Sequence, residues 1–239
     1  MGMPSAAAVI CAAGASMRMG GIKKEYQKLD SAGSLTVLGS AVCAFAAVQD
    51  VETIVIAVPE NGEEIARKSL PPEYLTWKRP EILFVNGGST RRASVFNALS
   101  LLLAYNPRYV LIHDGARPWI SSSLIEKVIE AVKKHGAVIP LLPLTDTPKE
   151  CDAPIEAQGG EPPDVFIKTH LKRVNTGTAQ TPQGFRFPEI LYAHEKAASL
   201  VNEEFTDDAE VWGRFCGPVA VIPGSPENRK ITFPEDFVN

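Results

Sequence analysis

Residues 6–20 read Ala6-Ala7-Ala8-Val9-Ile10-Cys11 followed by Ala12-Ala13-Gly14-Ala15-Ser16-Met17-Arg18-Met19-Gly20. Six consecutive apolar positions, Ala6–Cys11, predict a short strand buried on both faces. Double-sided burial belongs to parallel sheets covered by helices. The residues that follow are small, so backbone N–H groups can approach a phosphate chain closely. No G-K-[ST] and no G-x-G-x-x-G is present, so the loop is neither a Walker A loop nor the dinucleotide fingerprint.

The same alternation continues downstream. Apolar runs at Thr53–Val58, Ile82–Asn86, Tyr109–His113 and Ala137–Leu142 predict further buried strands. Helical spacing falls between them, at Val37–Val48, Glu63–Lys68, Thr90–Leu103 and Ser122–His135, with Ser121–Ser123 as caps and Gly136 as a stop. The expected fold is α/β, a mostly parallel sheet with helices on both faces. Such sheets bind ligands beyond the C-terminal ends of their strands, near a switch in strand order. The pattern changes after Pro143. Residues 148–173 carry Pro, Gly, Glu and Asp with no periodic apolar face, and are read as a loop or β-arm with a strand at Asp164–Thr169. Regularity returns with helices at Pro188–Val201 and Asp207–Phe215 and a strand at Val219–Ile222. The end, NRKITFPEDF, reads as a loop and short strand running into a helix start, which is expected to continue past Asp236. With no internal repeat and no clean linker, residues 1–239 are expected to form a single domain with that arm.

Composition narrows the function. The chain has 239 residues, with 24 Lys+Arg against 28 Asp+Glu, and a net charge of −4. This mild acidity argues against a nucleic-acid binder. No apolar run approaches the ~20 residues of a membrane helix. Four cysteines, Cys11, Cys43, Cys151 and Cys216, form no C-x-x-C and lack a His at metal-ligand spacing. Reduced thiols are expected. Met1–Ala8 lacks a basic n-region and the myristoylation pattern, so the expected location is cytoplasmic.

Chemistry-bearing residues cluster where the strands should end. Arg18 and Lys24, with Lys23 beside it, add positive charge after the first loop. Gly87-Gly88-Ser89-Thr90-Arg91-Arg92-Ala93-Ser94 offers backbone groups and hydroxyls at a helix start. His113-Asp114-Gly115-Ala116-Arg117-Pro118 places a carboxylate at a strand tip. His113 itself reads as a buried supporting histidine. Asp146-Thr147-Pro148-Lys149, Arg173, Thr178-Ala179-Gln180-Thr181-Pro182-Gln183, Thr206-Asp207-Asp208-Ala209 and Lys230-Ile231-Thr232 complete the set.

In this order the blocks resemble the 2-C-methyl-D-erythritol 4-phosphate cytidylyltransferase family of isoprenoid-precursor synthesis, from Ala7 to Asp236. The resemblance implies a Rossmann-like nucleotidyltransferase fold and a homodimer clasped by β-arms. It implies reaction of CTP with a branched polyol phosphate, giving a CDP-alcohol and pyrophosphate, with Mg²⁺. By position, Arg18, Lys24 and Lys230 would act on the phosphates. Ala12, Ala13, Gly14, Gly88, Ser89, Ser94 and Gly115 would surround the nucleotide, with Asp114 beside the metal. Thr147, Arg173, Thr206 and Thr232 would bind the polyol phosphate, Thr147 and Arg173 coming from the partner's arm. Arg91 and Arg117 would support the loops. The chain departs from the family pattern at Ser16, where glycine is usual, at Lys23-Lys24-Glu25-Tyr26, and in a longer arm through EAQGGEPP. The related ribitol 5-phosphate cytidylyltransferases share HD-x-x-RP and QTPQ, but DTPK and Ala179 favour the first family. A non-catalytic nucleotide-binding module should lack catalytic cations, and here Arg18, Lys24 and Lys230 are present.

Overall fold

The structure, a computed structural model, describes residues 5–14, 16, 19–29, 35–76, 79–155, 164–200 and 203–237. Arg18 and the arm segment 156–163 lie outside the described residues. Ten strands and six helices are present among the rest: β1 (Ala6–Cys11), α1 (Val37–Ala46), β2 (Val51–Val58), α2 (Glu63–Lys68), β3 (Glu81–Asn86), α3 (Arg91–Leu101), β4 (Tyr109–Asp114), α4 (Ser122–His135), β5 (Ala137–Pro143), β6 (Lys149–Cys151), β7 (Ile167–His170), β8 (Gly177–Ala179), β9 (Gln183–Arg186), α5 (Phe187–Ala198), α6 (Asp208–Phe215) and β10 (Ala220–Pro223).

The main sheet runs β10-β5-β9-β4-β1-β2-β3, with β8 also paired to β5. β1, β2, β3 and β4 are mutually parallel, as are β5 and β10. Residues alternate between the two faces as a pleat requires. Ala6, Ala8 and Ile10 enter one core with Leu38, Val42 and Phe45 of α1 and Ile125 and Val128 of α4. Ala7 and Val9 enter the other with Leu99 of α3, Ile190 of α5 and Trp212 of α6. The fully apolar strands of the sequence are thus explained by helices on both faces. Burying each large side chain of this kind contributes about 1.5–3 kcal/mol.

Three features differ from the sequence-based expectation. β9 is antiparallel and lies between β4 and β5, pairing Ile112 with Gln183 and Val138 with Gly184. Its Gly184 is required there, because an added Cβ would stand 2.7 Å from Val128 Cγ1 of α4. The short strand expected near Lys230 does not form. The N–H of Ile231 makes a single bond to the Ala116 carbonyl at 2.8 Å, and Asp236 Oδ2 accepts the N–H groups of Thr232 and Phe233. Those donors are consumed by a turn and cannot build a ladder. Residues 148–173 contain a separate two-stranded antiparallel ladder, β6 with β7, steadied by a 2.8 Å Lys168–Glu150 ion pair. The strand there starts at Ile167, three residues beyond the expected Asp164.

Candidate active site

The order reverses beside β1, which has β2 on one side and β4 on the other. A cleft of about 530 Å³ opens there, over the C-terminal ends of β1, β3 and β4. Ala13, Gly14 and Ser16 of the first loop line it, with Lys23, Lys24 and Glu25. Gly88, Ser89, Arg91 and Ser94 come from the end of β3 and the start of α3, Asp114 from β4, and Lys230 from the C-terminal loop.

The start of α3 is built from its own hydroxyls. Thr90 caps the helix by accepting the Ala93 N–H at 3.0 Å. Ser94 Oγ donates to the Thr90 carbonyl at 2.9 Å and accepts the Gly88 N–H at 3.0 Å. Gly87 is needed because the two loops nearly touch, and Gly88 because a Cβ there would clash with Ala93 of the first turn of α3. A Cβ on Gly87 would clash with Ala13 Cβ and approach Ser94 Oγ to 2.8 Å. Gly87→Ala is therefore expected to cost about 1–3 kcal/mol by overpacking. That lowers the melting temperature by roughly 2–4 °C per kcal/mol in a chain of this size, as calorimetry would read. An unchanged melting curve would mean that the two loops are free to part.

The floor of the cleft is ionic. Asp114 Oδ2 lies 2.8 Å from Lys230 Nζ and 3.5 Å from Arg117 Nε, and Oδ1 lies 3.4 Å from Arg91 Nε. Arg91 Nη1 also reaches Asp208 Oδ2 at 2.8 Å, and Asp208 Oδ1 accepts a hydrogen bond from His194 Nε2 at 3.1 Å. Burial on its own raises the pKa of Asp114, but Lys230, Arg91 and Arg117 overcome it and hold the carboxyl well below the usual range. Asp208 is likewise held low, with Arg91 and His194 outweighing burial. Three cations face two carboxylates, so the cluster carries net positive charge. Lys230, Arg91 and Asp114 also line a second cleft of about 320 Å³, bounded by Ala179, Gln180 and Thr206. Two polyanions in the two clefts would meet over this cluster.

His113 is fully buried, and burial lowers its pKa to about 4. Its Nε2 faces the Arg117 carbonyl at 3.2 Å, which can only accept, so Nε2 carries the proton. Nδ1 then accepts from Thr181 Oγ1 at 3.0 Å, and the same oxygen accepts the Asp114 N–H at 3.1 Å. The imidazole is a neutral brace for the loop of Asp114. Its buried, supporting place agrees with the sequence reading.

The glutamines of AQTPQ are staples. Gln180 donates to the Ser225 carbonyl at 2.8 Å and accepts the Ser225 N–H at 3.0 Å, fixing the loop that carries Lys230. Buried Asn228 donates to the Thr181 carbonyl at 2.8 Å, and its own carbonyl accepts from Arg117 Nη1 at 2.8 Å. Arg229 lies 4.4 Å over the Trp119 ring. Gln183 bonds Asp207 Oδ2 at 2.8 Å and the Ala209 N–H at 3.0 Å, fixing the start of α6.

The residues predicted for the nucleotide divide. Ala13, Gly14, Gly88, Ser89, Ser94 and Asp114 line the larger cleft. Ala12 does not. Its side chain is fully buried, its N–H bonds the Ala57 carbonyl, and its carbonyl accepts from the Tyr26 hydroxyl. Gly115 serves packing, since a Cβ there would lie 2.8 Å from the Cys11 carbonyl. Lys24 and Lys230 reach the cleft, whereas Arg18 is not among the described residues. Thr206 lines the second cleft and bonds Glu210 Oε2 at 2.8 Å. Thr147 is exposed on the way to the arm, and Thr232 lies in the C-terminal turn. Arg173 lies elsewhere, donating to the Thr145 carbonyl at 2.6 Å beside a cleft with Val174 and Val221. Asp208 stood within the Thr206–Ala209 block with no role of its own, and His194 was not predicted at all.

A sequence model of IspD, 2-C-methyl-D-erythritol 4-phosphate cytidylyltransferase, matches residues 6–239. A bifunctional IspD/IspF enzyme of Bartonella tribocorum is 34% identical over 236 residues, covering 98% of this chain and 54% of that one. One from a Bradyrhizobium species is 39% identical over 235 residues, covering 97% and 54%. The chain spans about half the length of these curated relatives. Among solved structures, 4-diphosphocytidyl-2C-methyl-D-erythritol synthase of Anaerococcus prevotii superposes with a TM-score of 0.80 at 28% identity, covering 98% of this chain and 93% of that one. The cytidylyltransferase of Thermus thermophilus superposes with a TM-score of 0.69 at 32% identity, covering 98% and 96%. A cleft at the switch point, floored by cations and framed by these motifs along the whole chain, agrees with those matches, and the chain belongs to the 2-C-methyl-D-erythritol 4-phosphate cytidylyltransferase family.

Proposed function

We propose that the protein joins CTP and 2-C-methyl-D-erythritol 4-phosphate to give 4-diphosphocytidyl-2-C-methyl-D-erythritol and pyrophosphate. The observation that carries the reading is the pair of clefts sharing Asp114, Arg91 and Lys230. In it the triphosphate occupies the larger cleft and the polyol phosphate the smaller. An oxygen of the polyol phosphate, already ionised at neutral pH, attacks the α-phosphorus in line. The new O–P bond forms as the bond to the β-phosphate oxygen breaks, and pyrophosphate leaves. No general base is required. Charge grows on the equatorial oxygens and on the leaving group, where Lys24, Lys230 and Arg18 are the cations assigned to meet it.

A divalent cation, Mg²⁺ in this reading, would help neutralise the triphosphate. Among the described residues no three His, Cys, Asp or Glu side chains are grouped to hold a metal. The ionised Asp114 still suits Mg²⁺, which commonly takes one or two carboxylates plus substrate phosphate oxygens. The described cysteines are free, in keeping with the cytoplasmic location we assign, and no described helix is long and apolar enough to cross a membrane. We assign residues 1–239 to one catalytic domain and the arm to a homodimer contact. Phe166 is 66% exposed along it and Val174 88% exposed just after it, apolar surface that a second copy would cover.

The test presents purified protein with CTP, Mg²⁺ and either methylerythritol phosphate or ribitol 5-phosphate, and follows pyrophosphate release. Turnover is expected with the first. Turnover only with ribitol 5-phosphate would move the chain's activity to that substrate, and nucleotide binding without turnover would make it a binding module. The same assay tests base choice. Backbone and hydroxyl groups at Gly88, Ser89 and Ser94 favour one base edge, so CTP should exceed UTP by at least ~10-fold in kcat/KM. Equal rates would place the base elsewhere.

A further inference from the structure

We infer that His194 and Asp208 are positioning residues for the reaction, acting through Arg91. This rests on the proposed cytidylyltransferase reading. Neither residue lines a cleft described above, and both are buried, His194 fully. They connect to the site by a continuous line of contacts. His194 Nε2 donates to Asp208 Oδ1, and Asp208 Oδ2 holds Arg91 Nη1 at 2.8 Å. Arg91 Nε then stands 3.4 Å from Asp114 Oδ1, and Asp114 holds Lys230.

The lengths give the direction of control. Arg91 is bound more closely to Asp208 than to Asp114, so the guanidinium is anchored from behind, on α6. That anchor keeps it from closing fully onto Asp114, and leaves it facing both clefts. A carboxylate with one oxygen on His194 and the other on Arg91 cannot rotate without losing one of them. The pair is also a poor choice for packing alone. His194 Nδ1 is buried without a hydrogen-bond partner among the described residues. An apolar side chain among Ile190, Leu191 and Ala197 would avoid that penalty. The one hydrogen bond of the ring among the described residues is to the carboxylate that aims Arg91.

The test compares His194→Met with His194→Gln. Methionine fills the space and cannot donate to Asp208, whereas the glutamine amide can. With CTP and methylerythritol phosphate, His194→Met should lower kcat/KM for CTP by ~10-fold or more, and His194→Gln should stay within ~3-fold of the parent. Melting temperature and secondary structure are recorded for each. A purely structural role would lower the melting temperature of both variants and leave kcat and both KM values unchanged per folded molecule, which overturns the inference. Should His194→Met not fold, Asp208→Asn takes its place; a ~10-fold loss supports the inference, and unaltered kinetics sink it. Parent protein inactive with these substrates would instead remove the cytidylyltransferase reading.

Discussion

Replacing Lys24 with alanine is expected to lower turnover ~100-fold or more, with the circular dichroism and melting curve close to those of the parent. Lys24 is only 9% exposed, an unusual degree of burial for a lysine, and it lines the larger cleft. Its place is set by the 3-10 turn Lys24–Tyr26, whose three residues are all buried. The neighbouring lysine is the alternative from sequence, and it lines the same cleft. Lys23 Nζ donates to the Gly14 carbonyl at 2.7 Å, so it shapes the first loop. An ammonium near growing phosphate charge, in a site shielded from water, stabilises the transition state more than the ground state, so the loss should appear in kcat. Lys23→Ala should instead act on the loop and change KM for CTP. Near-normal turnover in Lys24→Ala, with turnover lost in Lys23→Ala, would reverse the assignment.

Mixing two disabled variants should restore activity. Within one chain Arg173 lines neither cleft of the Asp114 cluster; it lines a third, with Leu141, Val174 and Val221, that shares no residue with the other two. In the proposed homodimer, Arg173 would instead meet the polyol phosphate in the other subunit's pocket. Arg173→Ala should raise KM for the polyol phosphate far more than KM for CTP, by ~10-fold or more for one lost charge-assisted hydrogen bond. If the chain forms the proposed homodimer, Lys24→Ala and Arg173→Ala proteins allowed to exchange subunits form mixed dimers. In each, one pocket has the native Lys24 of one chain and the native Arg173 of the other. Recovery approaching half the parent rate per mixed dimer is expected, since one of two pockets is whole. No recovery, with exchange verified by mass, would mean that each pocket is built from one chain.

The sheet was legible in the sequence wherever burial alone dictates it. β1, β2, β4 and β5 are apolar at nearly every position because helices cover both faces. β9 was not legible as a strand. Gln183-Gly184-Phe185-Arg186 has a glycine, two polar residues and one core side chain, and its extended form comes from the two neighbours it pairs with. β6 and β8, three residues each, are likewise defined by their partners. The cleft was anticipated because its loops directly follow predicted strands, and short spacing is visible in a sequence. The ionic floor was only half visible. Asp114, Lys230, Arg91 and Asp208 stood within motifs and His194 did not, but no local pattern announces that α3, α5 and α6 bring Arg91, His194 and Asp208 into contact across so much chain. The glutamines of AQTPQ were noticed by their motif, and only tertiary geometry shows that they hold loops in place.

The antiparallel β9 also orders events during folding. The strands β1 to β4 can pair and gather α1 and α3 as soon as residue 114 is available. The outer edge of β4 then has no partner until Gln183–Arg186 arrives, more than seventy residues later. In that interval the backbone groups of Tyr109–Ile112 are an open, strongly apolar template, the kind of edge that recruits foreign strands. Closing a loop of this length costs little more than closing a shorter one, but it slows the search. The half-built sheet should thus be the species most exposed to aggregation, and substitutions that weaken β9 should lower the yield of folded protein before they alter the finished site.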